Sequence, residues 1–250
     1  MSSLWLLDRE DDRPLDFHGA FIPAVAEGLI LRHTQPGDWI WDPMAGSGTT
    51  GREAKRLGRC CVMSDLNPTR WNIIEGDARS CQFHRYPSAN LPVGSCPTSE
   101  SWPLFQFDLA ILHPPYHRIV RFSDKHGDLS NAGSIGRFLR MFEDVCRNVG
   151  RHLKPKGYLG LVVGDIWVTE EEAKVEPMGL QPGVFPLAHE CMYRAMHTLG
   201  QDARLKAIVV KDIKNNQARA HERNLWSSRY FKWGAVHFAH EYIFSIQKGT

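Results

Sequence analysis

The chain has 250 residues, 42% of them hydrophobic and 23% charged, with a net charge of +2 at neutral pH. That length suits one large α/β domain spanning residues 1–250 with a substantial core. The composition excludes low-complexity and repeat architectures, no apolar run is long enough to span a membrane, and no leading stretch reads as a secretory signal. The six cysteines lack paired short spacing and fit a reducing compartment.

In chain order, residues 1–20 are charged and irregular, and Pro23–Leu31 reads as a short amphipathic helix. The turn signal Pro36-Gly37-Asp38 leads into a strand, Trp39-Ile40-Trp41. The glycine-bearing turn Ala45-Gly46-Ser47-Gly48 follows, with Thr49 and Thr50 placed to cap a helix that Gly58 closes. Cys60–Ser64 is the next strand, ending at Asp65; Ile73-Ile74 follows, then Glu75-Gly76-Asp77. Residues 79–104, with Pro87, Pro92, Pro97 and Pro103, read as a loop insertion in which Cys81, His84 and Cys96 fall short of a full metal-ligand set.

Phe107–Leu112 is an apolar strand that stops at His113-Pro114-Pro115-Tyr116, and residues 117–132 form a polar loop. A helix runs from Ile135 to about Leu153, followed by the turn Lys154–Gly157 and the strand Leu159–Val163. Residues 166–187 read as loop, 187–199 as helix, Leu205–Val210 as strand and His240–Phe244 as a closing strand. Strands alternating with helices predict a mostly parallel sheet covered on both faces, which binds ligands at the carboxyl ends of its strands.

Two segments carry the chemistry. The glycine turn lets backbone approach a ligand closely, and the helix after it presents free N–H groups and a positive dipole end. Its Gly-x-Gly spacing lacks the third glycine of a dinucleotide fingerprint. Asp65, about 20 residues on, is placed for ribose hydroxyls, and Asp77 at the next rim position for an adenine amino group. Two carboxylates suit a nucleoside with an amino-acid tail better than a nucleotide, whose phosphates they would repel. At the other segment, Pro114-Pro115 removes two backbone donors, and the Tyr116 ring just beyond is suited to stack on a flat substrate.

With these residues the chain resembles the S-adenosylmethionine-dependent DNA amino-methyltransferases, which methylate adenine N6 or cytosine N4. Asp42-Pro43-Met44-Ala45-Gly46-Ser47-Gly48-Thr49-Thr50 is similar to that family's Asp-Pro-Phe-Ala-Gly-Ser-Gly-Thr-Thr, with Met44 in place of Phe. Phe21-Ile22-Pro23 resembles the segment packing on the cofactor's methionine end, and Asp65 and Asp77 fall at the ribose and adenine positions. His113-Pro114-Pro115-Tyr116 falls at the catalytic motif, which usually begins with Asp, Asn or Ser. The likeness implies a Rossmann-like class I methyltransferase fold, S-adenosylmethionine as cofactor and no metal. It also implies transfer of the methyl group to an exocyclic amine of a flipped DNA base. The first motif residue and the Pro114 carbonyl would accept the amine's hydrogens, with Tyr116 stacked on the base.

His113 departs from the pattern: a neutral imidazole accepts one hydrogen bond, and protonation removes that capacity. Adenine N6 is placed ahead of cytosine N4 as the target. Between Arg204 and Lys232 lie eight Lys/Arg against Asp212 and Glu222. Lys211, Lys214, Asn215, Asn216, Arg219, Arg223, Arg229 and Lys232 are the expected DNA contacts there. Loops at 79–104, 117–132, 166–187 and 211–238 are candidates for target recognition. The expected setting is a prokaryotic or phage cytoplasm, beside nucleoid DNA, alone or with a homodimer or restriction partner. Methylation of RNA (tRNA guanine) or of a protein amide, and a catalytically inactive DNA-binding subunit, are the alternatives.

Overall fold

Short β-rich runs bounded by Gly and Pro become strands, and 3.6-periodic runs between them become covering helices. The computed structural model describes residues 3–5, 22–83, 105–212 and 240–250. In chain order these form β1 (Leu4–Trp5), α1 (Pro23–His33), β2 (Trp39–Asp42), α2 (Thr49–Arg56), β3 (Cys60–Asp65), β4 (Ile74–Glu75) and β5 (Phe107–Leu112). The second half gives α3 (Ile135–His152), β6 (Leu153–Val163), β7 (Ile166–Val168), α4 (Glu170–Val175), β8 (Gly183–Phe185), α5 (Leu187–Thr198), β9 (Arg204–Asp212) and β10 (His240–Gln247).

Eight strands form one sheet in the order β1-β9-β10-β6-β5-β2-β3-β4. Among the described strands of this sheet only β10 is reversed, pairing antiparallel with both β6 and β9, so the sheet is mostly parallel as expected. From β2 the chain winds outward through β3 to β4; β5 then returns to the other side of β2. The crevice beyond the carboxyl ends of β2 and β5 is therefore the topological switch point, where such sheets bind ligands.

Each face of the sheet has its own core. On one, α1 and α2 bury Val25, Ala26, Leu29, Ile30 and Ala54 against Ile40, Leu109, Ile111 and Val162. On the other, α3 and α5 bury Phe138, Phe142, Val145, Leu187 and Cys191 against Trp41, Phe107, Ala110 and Leu161. Pro23 sits in the first turn of α1, where a missing N–H costs nothing. The Ser134 hydroxyl caps α3 by accepting the Arg137 N–H at 3.1 Å. No helix among the described residues is long and apolar enough to cross a membrane.

Two expectations change. Residues 166–187 are not simply loop: β7 and β8 pair antiparallel, joined through α4. Thr169 and Glu172 close a reciprocal capping box on α4, a pattern legible as Thr-x-x-Glu but outweighed by the surrounding prolines. The helix before β6 ends at His152, and Leu153 already pairs with Phe107. The Lys154–Gly157 turn instead bulges from β6, with Lys156 at a φ of 62°.

Candidate functional site

Register brings the two chemical segments together. Ile40 pairs with Leu109 and Trp41 with Ala110, so Asp42 and the His113 turn leave adjacent strands at the same end of the sheet. β2 and β3 are tied at that end by the Trp41 indole N–H, which donates to the Ser64 hydroxyl at 3.1 Å. Asp42 and Asp65 directly follow those two residues.

The turn after β2 is held by carboxylates. Asp42 Oδ1 accepts the Met44 N–H at 3.1 Å, and Asp65 accepts the Gly46 N–H at 2.8 Å and the Asn67 N–H at 2.9 Å. The Ala45 N–H donates to the Ser64 carbonyl at 3.1 Å. Gly46 and Gly48 have φ of 50° and 79°, the left-handed region where a side chain is strained. Gly48, not either threonine, is the N-cap of α2. Thr49 and Thr50 are its first helical residues, and Arg52 reaches back to the Ser47 carbonyl and the Thr49 hydroxyl, both at 3.2 Å. Gly48→Ala is expected to cost about 1–2 kcal/mol through the left-handed strain, lowering Tm by about 2–8 °C in a thermal melt. An unchanged melt would show that the turn relaxes.

These residues fit the cofactor the sequence implies. Each oxygen of Asp65 keeps a second lone pair for a ribose hydroxyl after serving the turn. Asp42 is buried, and that burial raises its carboxyl to about 7; Met44 and the nearby Thr50 hydroxyl pull it back only in part, and Asp65 pushes it further up. Thr50 Oγ1 itself falls short of a full hydrogen bond. Among the described residues Asp42 thus lacks a compensating cation, which a bound sulfonium would supply. Pro43, Ala45 and Ser47 are buried around it, and Met44 is half-buried. Pro23 opens α1, which shares a core with α2; Phe21 lies outside the described residues.

Asp77 has a partner that the sequence did not reveal. The Arg79 guanidinium grips it, with Nη2 to Oδ2 at 2.6 Å and Nε to Oδ1 at 3.0 Å. Burial pushes Asp77 up, but the Arg79 bonds and charge outweigh it and hold the carboxyl below its usual value. A ligand amine there would have to share a carboxylate already engaged by Arg79.

At the other segment, Pro114 is buried and His113, Pro115 and Tyr116 are partly so. The Tyr116 hydroxyl donates to Glu241 Oε2 at 2.7 Å and lies 3.2 Å from His113 Nε2. His117 then takes a left-handed φ of 53°, and its ring reaches the Ala132 carbonyl at 3.2 Å. Lys125 crosses to the rim of β3 and β4, donating to the Leu66 carbonyl at 2.8 Å and to Glu75 at 2.5 Å. The 117–132 loop is thereby pinned beside Asp65.

Of the expected DNA contacts, Lys211 is placed differently. It is buried in β9 opposite Glu241 of β10, with Nζ 2.8 Å from Oε1, so its charge is spent inside the protein. Spacing could not show this, because the register of β9 and β10 is set across the long stretch of chain between them. Lys214, Asn215, Asn216, Arg219, Arg223, Arg229 and Lys232 lie outside the described residues, as do His84 and Cys96. Glu241 and His117 were missed in sequence; the one signal was a carboxylate in the otherwise apolar Tyr242-Ile243-Phe244 strand.

Residues 4–76 match the model of a DNA methylase family, the N6/N4 methyltransferases. The type II methyltransferase M2.DpnII of Streptococcus pneumoniae is 64% identical over 35 residues, 14% of this chain and 13% of that protein. M.MjaII of Methanocaldococcus jannaschii is 37% identical over 59 residues, 24% of this chain and 11% of that one. The match thus spans about an eighth of the length of these relatives. Among solved structures, TrmN from Thermus thermophilus has a TM-score of 0.47 at 16% identity, covering 91% of this chain and 49% of its own. A putative DNA modification methylase, also from Thermus thermophilus and solved with S-adenosyl-L-methionine, has a TM-score of 0.38 at 23% identity, covering 60% and 51%.

Proposed function

We propose that this chain is a DNA amino-methyltransferase that uses S-adenosylmethionine, with adenine N6 ahead of cytosine N4 as its target. The observation that carries this reading is the parallel register of β2 and β5, which sets the Asp42–Thr50 turn beside His113–Tyr116 at the switch point. The family match over residues 4–76 covers the first of those segments and supports it independently.

When bound, S-adenosylmethionine supplies an electrophilic methyl group on a sulfonium. Asp42 holds the Met44 backbone and would balance the positive charge, while Asp65 shapes the glycine turn and would take the ribose. An exocyclic amine is a poor nucleophile because its lone pair is delocalised into the ring. His113 and the Pro114 carbonyl accept its hydrogens, which localises the lone pair and aims it at the methyl. Tyr116 offers its ring to the flipped base. The cation-rich span from Lys214 to Lys232 contacts phosphate, and a DNA substrate sets the work in the cytoplasm beside the nucleoid.

The test is incubation with tritiated S-adenosylmethionine and DNA, tRNA or protein, followed by digestion and identification of the labelled product. N6-methyladenine or N4-methylcytosine in DNA is expected, and His113→Ala should lower the rate by about 100-fold. Label on tRNA or protein alone would overturn the DNA reading, and no label on any substrate would point to a non-catalytic subunit.

A further inference from the structure

The far half of the 117–132 loop is a self-supported unit. Asp128 Oδ1 accepts the Ser130 N–H at 2.8 Å and the Ser130 hydroxyl at 2.6 Å, while Asp128 Oδ2 accepts the Ser123 hydroxyl at 2.7 Å. The Asn131 side-chain amide donates to the Ser123 carbonyl at 2.8 Å, and the Phe122 N–H to the Ser130 hydroxyl at 3.1 Å. Leu129 and Ala132 root the unit in the same core as α3. Residues 122–131 therefore hold their own shape, and what they touch outside themselves decides where they sit.

They touch two places, both at the strand ends that carry the nucleoside-binding candidates. Lys125 Nζ donates to the Leu66 carbonyl at 2.8 Å and to Glu75 at 2.5 Å, bridging the ends of β3 and β4 where Asp65 pairs with Glu75. Gly127 packs on the Asp77–Arg79 pair. Its φ is 105°, and an added Cβ would overlap Arg79 Nη2 and lie 2.9 Å from Asp77 Oδ2, so backbone angle and space both call for glycine. Arg79 prepares that seat. Asp77 Oδ1 accepts the Arg79 N–H at 2.9 Å and Nε at 3.0 Å, and Oδ2 accepts Nη2 at 2.6 Å. Three of the four lone-pair sites are taken, which fixes the carboxylate in place.

Resting on the methyltransferase reading above, we infer that residues 122–131 form a strap along the adenosine side of the cofactor cleft, with Arg79 and Lys125 as its positioning residues, and that this loop serves cofactor retention rather than target recognition. Arg79 holds Asp77 as the seat for Gly127, and Lys125 is the latch. The two differ in strength. The seat is a largely buried, bidentate pair with backbone support, so it persists. The Lys125 and Glu75 side chains are 39% and 68% exposed, so their attraction is weak and screened by salt. The latch opens while the seat stays, and cofactor exchange follows the latch.

The strap is tested by loading the protein with tritiated S-adenosylmethionine and chasing with unlabelled cofactor at about 0.05 and about 0.5 M salt. Lys125→Ala is expected to speed release by about three- to tenfold at the lower salt, with a melting temperature within about 2 °C of wild type. Wild type should release faster as salt rises; Lys125→Ala should lose most of that dependence and Lys125→Arg should restore it. Gly127→Ala, which lifts the strap from its seat without altering Lys125, should speed release as well. Release from Lys125→Ala at the wild-type rate, or with a salt dependence as steep as that of wild type, would overturn the strap and leave the methyltransferase reading intact. A raised KM for DNA together with wild-type cofactor release would return the loop to target recognition. A wild-type protein that binds no S-adenosylmethionine would overturn the functional reading and the role of the strap together.

Discussion

Asp42→Asn is expected to make the free protein more stable above neutral pH while weakening its grip on S-adenosylmethionine by tenfold or more. Asp42 is 2% exposed, and burial, the largest influence, raises its carboxyl to about 7 against an ordinary 3.8. Between those two values the folded protein holds a proton that the unfolded chain has released. Stability conferred by the neutral carboxyl is therefore fully present below about pH 4 and is lost as pH rises through 7. The linkage bounds that loss at about 4 kcal/mol. Asparagine keeps an oxygen for the Met44 N–H, 3.1 Å away in the native turn, and carries no charge to bury. A gain of about 1–2 kcal/mol, or about 2–8 °C in Tm, follows at about pH 8 and shrinks away as pH falls below about 4.

Binding should move the opposite way. A cationic cofactor offsets the buried carboxylate, so the wild-type affinity should rise with pH and level off above about 7. In Asp42→Asn that pH dependence should disappear along with at least about 1.4 kcal/mol of binding. Melting curves and titration calorimetry at the two pH values measure both halves. A variant equally stabilised at both, or one that binds cofactor as tightly as wild type at about pH 8, would dismiss the idea of an orphaned charge awaiting a cation.

What the sequence made legible was local and periodic. Trp39–Asp42, Cys60–Asp65 and Phe107–Leu112 are mostly apolar runs with clear breakers, and all three fold as strands. The glycine turn declares itself because Gly46 and Gly48 are the residues that tolerate the φ values found there. Contacts that depend on register across long spans were not legible. Lys211 looked like one more cation in a basic stretch, until pairing with β10 placed it opposite Glu241. The Asp77–Arg79 grip is two residues apart, yet it competes with a ligand role for Asp77 that is equally local, and no periodicity decides between them. His113 illustrates the same boundary: the motif shows where it is, but only the fold places Glu241 of β10 behind its neighbour Tyr116.

Trp41→Ala should do the greatest structural damage of any single change at the site, about 3–5 kcal/mol. The indole is fully buried, stacked on Phe107 at 5.7 Å and edge-on to Phe83 at 5.3 Å and to His152 at 5.2 Å. Its N–H serves Ser64, which is itself buried, so truncation opens a cavity and strips a hydroxyl of its donor together. A total stability of about 5–15 kcal/mol leaves little margin after such a loss, and Tm should fall by about 6–20 °C. Trp41→Phe separates the two effects: it keeps most of the ring and loses the hydrogen bond, at about 1–2 kcal/mol. Because Trp41 and Ser64 immediately precede Asp42 and Asp65, Trp41→Ala should bind cofactor weakly even at temperatures where it remains folded. Trp41→Phe should bind within about threefold of wild type, a difference below about 1 kcal/mol. Denaturant titration and cofactor binding on the same samples decide it. If Trp41→Ala melts within about 2 °C of wild type, less than about 1 kcal/mol, then the aromatic cluster is not what holds the two carboxylate-bearing strand ends together.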